Sequence, residues 1–175
     1  MNYDAFIVID MQTLIVNANP YNRDETVANI DKLISVCRSK KIPVIFVRHD
    51  DGPGEPLEKG TDGFKITKEL TPREGEKIFD KNFNSAFRKT GLREYLDAMG
   101  AKQIIICGMQ TEFCIDATIK VAFEYEYDVT VVRDGVTTLD NGELTGRQIC
   151  DFYLGKIWNG RFAVVKTADE IIADI

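Results

Sequence analysis

Short apolar segments alternate with longer amphipathic segments along the whole chain. The apolar segments are rich in β-branched and aromatic residues, which is typical of buried strands. They predict six strands, at residues 5–9, 44–48, 77–79, 103–107, 129–132 and 162–165. Because the segments between them have helical periodicity, the pattern indicates a parallel sheet covered by helices on both faces.

The amphipathic segments predict helices at residues 24–40, 90–99, 111–125, 143–158 and 168–173. In the first of these, apolar residues recur at steps of three and four, which places them on one helical face. The stretch 50–63 is instead rich in glycine and proline and predicts an irregular loop. A loop of this length is usually a functional lid or a disordered tip. Because it follows the second strand at the carboxyl edge of the sheet, where ligands bind, we expect it to be a lid.

Composition narrows the class of protein. The length of 175 residues fits one domain, 1–175, and the net charge of −6 argues against nucleic acid and anionic membranes as partners. No apolar run approaches the ~20 residues of a membrane span, and the N-terminus lacks the basic region of a signal peptide. The four cysteines include no CxxC pair. We therefore expect a cytoplasmic protein with reduced thiols.

Polar side chains follow three of the predicted strands. Asp10 ends the first strand, Lys81 closely follows the third, and Cys114 follows the fourth after a short turn. Because the strand ends of a doubly wound sheet gather around one crevice, we expect these three groups to converge. A carboxylate, a cation and a thiol are the parts that covalent acyl transfer needs.

Cys114 lies where a helix is predicted to begin. Thr111 is expected to cap this helix, so that the thiol lies in the first turn. The helix dipole favours thiolate there, and we expect a pKa below the ~8.5 of a free thiol. The other cysteines, Cys37, Cys107 and Cys150, are expected to be buried apolar residues.

Four motifs, taken as an ordered set, resemble the isochorismatase-like cysteine hydrolases over essentially the whole chain. They lie at residues 8–12, 81–87, 108–114 and 131–138. The resemblance implies an α/β fold of three layers, α/β/α, whose six-stranded parallel sheet has the order 3-2-1-4-5-6. It also implies a catalytic triad of Asp10, Lys81 and Cys114, and assembly into a homo-oligomer, a dimer or a tetramer.

The same resemblance implies the chemistry. The protein would hydrolyse the C–N bond of a small amide through a thioester on Cys114. Asp10 would act as general acid and base, and Lys81 would stabilise the thiolate. Backbone N–H groups of Gln110 and Cys114 would form the oxyanion hole, and the peptide bond between Met109 and Gln110 would be cis.

A metal is not expected at this site. Nicotinamidase-type relatives bind one through an aspartate and two or more histidines, whereas this chain has a single histidine, His49. We therefore predict neither a metal nor another cofactor. His49 is expected either to line the pocket entrance or to be a structural residue.

Seven residues are candidates for the lining of the pocket. For the aromatic candidates, packing in the core is the competing role. Gln12 could position a substrate amide or bind a loop carbonyl. The candidates are Gln12, Leu14, His49, Phe64, Phe83, Phe87 and Phe113. The sequence does not identify the substrate.

Two other functions fit parts of the sequence. The pattern 10–13 is similar to that of haloacid-dehalogenase-type phosphatases, but these need a second carboxylate where Gln12 stands. A doubly wound domain can also bind a flavin or a nucleotide without catalysis. No glycine-rich phosphate loop follows the first strand, which disfavours this alternative.

Overall fold

A computed structural model describes residues 3–175, in which all six predicted strands form one parallel sheet. The strands are β1 (Ala5–Ile9), β2 (Val44–His49), β3 (Lys77–Lys81), β4 (Gln103–Gly108), β5 (Asp128–Val136) and β6 (Val164–Lys166). Their order across the sheet is β3-β2-β1-β4-β5-β6, which confirms the predicted topology.

The described residues contain six α-helices: α1 (Thr13–Val16), α2 (Arg23–Ser39), α3 (Leu92–Ala98), α4 (Asp116–Glu124), α5 (Gly146–Phe152) and α6 (Ala168–Asp174). Thr111–Ile115 and Tyr153–Trp158 are π-helical, and Lys68–Leu70 is a short 3₁₀ turn. No helix within residues 3–175 is both long and apolar enough to span a membrane.

Helices cover both faces of the sheet, and β1 is buried at its centre. Along β1, Ala5, Ile7 and Ile9 contribute to one apolar cluster, together with residues of α3, α4 and α5. Phe6 and Val8 point to the opposite face and pack with residues of α2 and α6. The period of two that a strand imposes therefore supplies two cores from one continuous apolar segment.

Several predicted boundaries are wrong, and local chemistry explains them. The helix predicted at 90–99 begins only at Leu92, because Gly91 adopts a left-handed conformation with φ 81°. The helix predicted at 143–158 begins at Gly146, since Thr145 caps it together with the side chain of Gln148. Its second half is π-helical, and the last strand begins at Val164 instead of 162.

Gly108 brings the ends of β1 and β4 into close contact. Its φ is 119°, and a Cβ at this position would lie 2.0 Å from the carbonyl oxygen of Ile9. Only glycine fits so close an approach. The next residue, Met109, donates its N–H to the same carbonyl at 3.0 Å. This contact fixes the turn after β4 against the residue that follows β1, which is Asp10.

Candidate active site

Three elements place Asp10, Lys81 and Cys114 at one edge of the sheet. Asp10 directly follows β1, Lys81 is the last residue of β3, and Cys114 lies in the π-helical segment after β4. Lys81 pairs with His49 at the end of β2, so its long side chain crosses that strand end to reach β1. The structure brings all three predicted residues together.

The ammonium group of Lys81 is the centre of the cluster. Its Nζ atom lies 2.6 Å from Oδ2 of Asp10, 2.9 Å from Nδ1 of His49 and 3.1 Å from Sγ of Cys114. The lysine side chain is fully buried, and the aspartate is 2 % exposed. A buried charge is tolerated only when it is paired and hydrogen-bonded, and here each charge compensates the other.

The other carboxylate oxygen of Asp10 has no hydrogen-bond partner. Oδ1 is buried and is the one such side-chain oxygen or nitrogen atom among residues 3–175. Asp10 also has a left-handed backbone conformation, with φ 53°, which few residues other than glycine adopt. A buried oxygen without a donor is unfavourable, so Oδ1 is ready to accept a proton or a hydrogen bond from a bound molecule.

The predicted low pKa of Cys114 is wrong. Burial and the neighbouring Asp10 carboxylate raise the pKa of this thiol to about 12, although Lys81 acts in the opposite direction. The predicted cap is wrong as well. The hydroxyl of Thr111 donates to the carbonyl of Thr137, and the first turn is π-helical and begins after Gln110 without a side-chain cap. At neutral pH, Cys114 is therefore a thiol that needs a base.

Backbone hydrogen bonds fix the turn between β4 and Cys114. Thr111 donates its N–H to the carbonyl of Thr137, and the Gln110 carbonyl accepts from the N–H groups of Phe113 and Ile115. The peptide bond between Met109 and Gln110 is cis. These contacts fix the backbone beside the thiol, where the predicted oxyanion hole lies.

A cavity of about 250 Å³ opens in front of the cluster. It is smaller than the cavities that hold drug-sized ligands, so it suits a small molecule. Its lining residues are Asp10, Ile15, His49, Asp51, Leu57, Asn84, Met109, Gln110, Phe113 and Cys114. Larger surface grooves elsewhere, such as one of about 690 Å³ beside Phe123 and Phe162, contain none of the three clustered residues.

Comparison with known proteins agrees with this geometry. The sequence-family model of the isochorismatase domain matches residues 4–145 of this chain. This chain belongs to the isochorismatase family.

The relatives cover most of this chain. An uncharacterized isochorismatase family protein of Bacillus subtilis is 29% identical, over 96% of this chain and 98% of its own length. Nicotinamidase 3 of Arabidopsis thaliana is 30% identical, over 78% of this chain and 74% of its own. A cysteine hydrolase of Pseudomonas syringae pv. phaseolicola has a solved structure that superposes with a TM-score of 0.90 at 26% identity. That match covers 97% of this chain and 90% of the other.

The donors of this isochorismatase-family site could hold a metal only if Lys81 moved. Asp10, His49 and Cys114 offer ligand atoms that all lie within 4.8 Å of one another. However, the Lys81 ammonium lies within 3.1 Å of all three side chains and already supplies the positive charge between them. The residues present therefore do not fit a metal ion at this position.

His49 lines the cavity, which is one of the two roles left open for it, and each of its ring nitrogens has a partner. Nδ1 faces the Lys81 ammonium at 2.9 Å, so it must accept a hydrogen bond. Nε2 lies 3.1 Å from Oδ1 of Asp51 and donates its hydrogen there. A doubly protonated ring would point an N–H at the ammonium, so the imidazole is neutral in this arrangement.

Of the other predicted pocket residues, only Phe113 lines the cavity. Gln12 does not line the cavity, because its side-chain amide binds backbone groups. Nε2 donates to the carbonyls of His49 and Phe64, and Oε1 accepts the N–H of His49. Of the two roles open for Gln12, the structure shows the contact with a loop carbonyl.

The remaining candidates pack elsewhere. Phe64 is buried under the guanidinium of Arg48, and Phe87 packs against the rings of Tyr125 and Tyr127. Phe83 and Leu14 do not line the cavity either: Phe83 stacks under Arg88 at 3.8 Å, and Leu14 is half-exposed beside Gly63. Aromatic character alone did not distinguish a pocket wall from a core position.

Sequence reasoning missed four lining residues: Ile15, Asp51, Leu57 and Asn84. Asp51 and Leu57 lie in the irregular loop 50–63, whose position after β2 was the available signal. Asn84 lies within the motif at 81–87, and its Oδ1 is 4.0 Å from Sγ of Cys114. Ile15 belongs to α1, a helix too short to produce a periodic pattern.

Proposed function

We propose that this isochorismatase-family protein is a cysteine amidohydrolase that cleaves the C–N bond of a small amide through a thioester on Cys114. One observation carries the proposal: a buried thiol, a buried lysine and an aspartate with an unpartnered oxygen meet at the floor of a small cavity. The relatives named as a nicotinamidase and a cysteine hydrolase support the same chemistry.

Asp10 is the base in the first step. Its carboxylate takes the thiol proton while the sulfur attacks the carbonyl carbon of the amide, and a tetrahedral oxyanion forms. The base is needed because burial raises the pKa of Cys114 to about 12. We assign the oxyanion hole to the backbone N–H groups of Gln110 and Cys114, because both residues line the cavity.

Asp10 is the acid in the second step. It returns its proton to the leaving nitrogen, the C–N bond breaks, and ammonia or an amine departs from the thioester. Water then enters, Asp10 takes one of its protons, and the resulting hydroxyl attacks the thioester carbonyl. The C–S bond breaks, the acid leaves, and Asp10 returns the proton to the sulfur, which restores the thiol and the carboxylate. Lys81 keeps its proton throughout, because it compensates the carboxylate or the thiolate, whichever is charged.

The test is release of ammonia from a panel of small amides in the presence of a chelator. We expect Cys114→Ala to lower the rate at least ~10³-fold, since no other group at the cavity can form the acyl-enzyme. Cys37→Ala is the matched control, because Cys37 is buried in the cluster on the other face of the sheet. Activity that survives in Cys114→Ala, or that the chelator abolishes, would contradict the proposal.

A further inference from the structure

The charges around the cavity do not cancel. Asp10 and Lys81 form a neutral pair, and His49 is neutral because it accepts from the lysine. Asp51 therefore adds one negative charge. Among the lining residues that the structure describes, none is a lysine or an arginine.

Asp51 has no cationic partner of its own in the described part of the chain. Its carboxylate accepts a hydrogen bond from the neutral imidazole of His49, at 3.1 Å. Its side chain is 36% exposed, so the charge faces the cavity mouth.

Nearby cations are directed away from this carboxylate. Arg48 and Lys59 both bind Asp80, at 2.7 and 2.6 Å. Asp80 supplies one negative charge against these two positive charges. The second is offset by the carboxylate of Asp50, which has no cationic partner within residues 3–175 and accepts the N–H of Lys59 at 3.2 Å. The local balance at the mouth is negative, and a negative wall attracts cations and repels carboxylates.

An aromatic ring lines the same cavity. Phe113 is 43% exposed, and within residues 3–175 its ring contacts neither another aromatic ring nor a cation. The face of an aromatic ring attracts a cation within about 6 Å, and a carboxylate beside it strengthens that attraction. An exposed ring and an uncompensated carboxylate at one cavity are the elements of a cation site.

We propose that the cavity selects small amides that carry a positive charge, with Asp51 as the specificity-determining residue and Phe113 packed against the cationic group. This inference rests on the proposed amidohydrolase function, because it assigns the substrate class of the same site. A single charge at the partly exposed mouth is expected to change kcat/KM about ten-fold relative to a neutral substrate of equal size.

The first measurement compares three amides of similar size at pH 7: 3-aminopropanamide, a cation; butanamide, which is neutral; and malonamate, an anion. We expect kcat/KM to fall in that order, by about ten-fold at each step. In Asp51→Asn the kcat/KM values of the three amides should converge, because asparagine still accepts the hydrogen bond from His49 but carries no charge. Asp62→Asn is the control, since it removes the same charge from an exposed position of the loop outside the cavity.

The second measurement does not depend on turnover. Methanethiosulfonate reagents that carry an ammonium or a sulfonate group are allowed to react with Cys114, and labelling is followed by peptide mass spectrometry. The ratio of cationic to anionic labelling, corrected for the ratio on a small free thiol, should exceed ten in the wild type. It should approach one in Asp51→Asn and stay high in Asp62→Asn.

The outcomes separate the two proposals. If amides are hydrolysed without charge preference and the labelling ratio does not depend on Asp51, the charge selection is refuted and the amidohydrolase function stands. If no amide is hydrolysed but the labelling ratio is high and falls in Asp51→Asn, the amidohydrolase function fails while the negative cavity mouth is supported.

Discussion

Lys81 contacts three other polar side chains of the site. Its ammonium lies among the carboxylate of Asp10, the imidazole of His49 and the sulfur of Cys114, with almost no exposure to water. The sequence predicted the convergence of Asp10, Lys81 and Cys114, because strand ends of a doubly wound sheet meet at one edge. It could not predict the raised pKa of Cys114, because that depends on burial and on the distance to Asp10.

The Asp10–Lys81 pair is tested by a double-mutant cycle. Lys81→Met leaves the Asp10 carboxylate buried without a counter-charge, and we expect it to lower the free energy of unfolding by about 3–5 kcal/mol. Adding Asp10→Asn removes that charge and should restore part of the loss. Urea unfolding at pH 7 measures the free energy of unfolding of the wild type, both single variants and the double variant. A loss in the double variant equal to the sum of the two single losses would contradict the coupling.

The close approach of Gly108 to the Ile9 carbonyl is tested by substituting the glycine with alanine. A Cβ there would lie 2.0 Å from the Ile9 carbonyl oxygen at a φ of 119°, so Gly108→Ala should unfold the protein or destabilise it by more than about 4 kcal/mol. Gly155→Ala is the matched control, since a Cβ at that position meets no atom within 4 Å. Soluble expression and thermal unfolding compare the two, and equal stabilities would show that the close approach is not rigid.

At the scale of elements, the loop 50–63 forms one wall of the cavity. Asp50 binds the N–H groups of Gly52 and Lys59 through its side chain, and the side chain of Asn82 donates to its carbonyl. Leu57 is 7% exposed and lines the cavity. The loop thus has internal hydrogen bonds and an apolar anchor.

Leu57→Ala should enlarge the cavity and alter specificity more than chemistry. We expect a higher KM for the smallest amides and improved kcat/KM for larger ones, with kcat changed less than about five-fold, because the triad is not touched. Glu55→Ala, an exposed change in the same loop outside the cavity, is the control. A loss of kcat for every amide would assign Leu57 to the support of the triad instead.

The strands were more readable from the sequence than the helices. Buried parallel strands appear as continuous apolar runs, and β1 was predicted with both ends correct. By contrast, apolar spacing did not separate α-helix from π-helix, so the segment Thr111–Ile115 that carries Cys114 was predicted as α-helical. The four-residue helix α1 was not predicted, because it is shorter than the repeat that reveals a helix.

For the whole molecule, all four cysteines are buried as thiols. Burial raises the pKa of Cys37 and Cys114 to about 12 and of Cys150 to about 11, and raises that of Cys107 well above its ordinary value. A raised pKa in the folded state means that stability is fully present below the ordinary thiol pKa. It is lost as pH rises above that value, because the unfolded chain then releases protons that the folded chain keeps.

The free energy of unfolding should therefore fall between pH 8 and pH 10, by about 2 kcal/mol for each buried thiol. Cys37→Ala removes one such thiol. Between pH 8 and pH 10 the free energy of unfolding of this variant should therefore fall by about 2 kcal/mol less than that of the wild type, whatever its stability at pH 8. Urea unfolding under reducing conditions measures both slopes. Identical slopes would mean that Cys37 ionises equally in the two states.

The family and the strand order were predicted from sequence because the ordered motifs extend over nearly the entire chain, and both are confirmed. The homo-oligomer, the cytoplasmic location and the single domain 1–175 stay predictions. The substrate could not be predicted, because the cavity wall is built from residues of separate elements, such as Ile15, Asp51 and Asn84, that carry no shared sequence pattern.

The most direct test of the account compares alkylation of Cys114 with amide hydrolysis in wild type and Asp10→Asn at pH 8. Burial and the Asp10 carboxylate raise the pKa of Cys114, so removing that charge should lower the pKa and make iodoacetamide labelling faster. Hydrolysis should nevertheless fall at least ~10³-fold, because the proton acceptor is gone. If Asp10→Asn retains its hydrolytic activity, Asp10 is not the base and the proposed mechanism is wrong. Labelling no faster than in wild type would instead show that the Asp10 charge does not raise the pKa of Cys114.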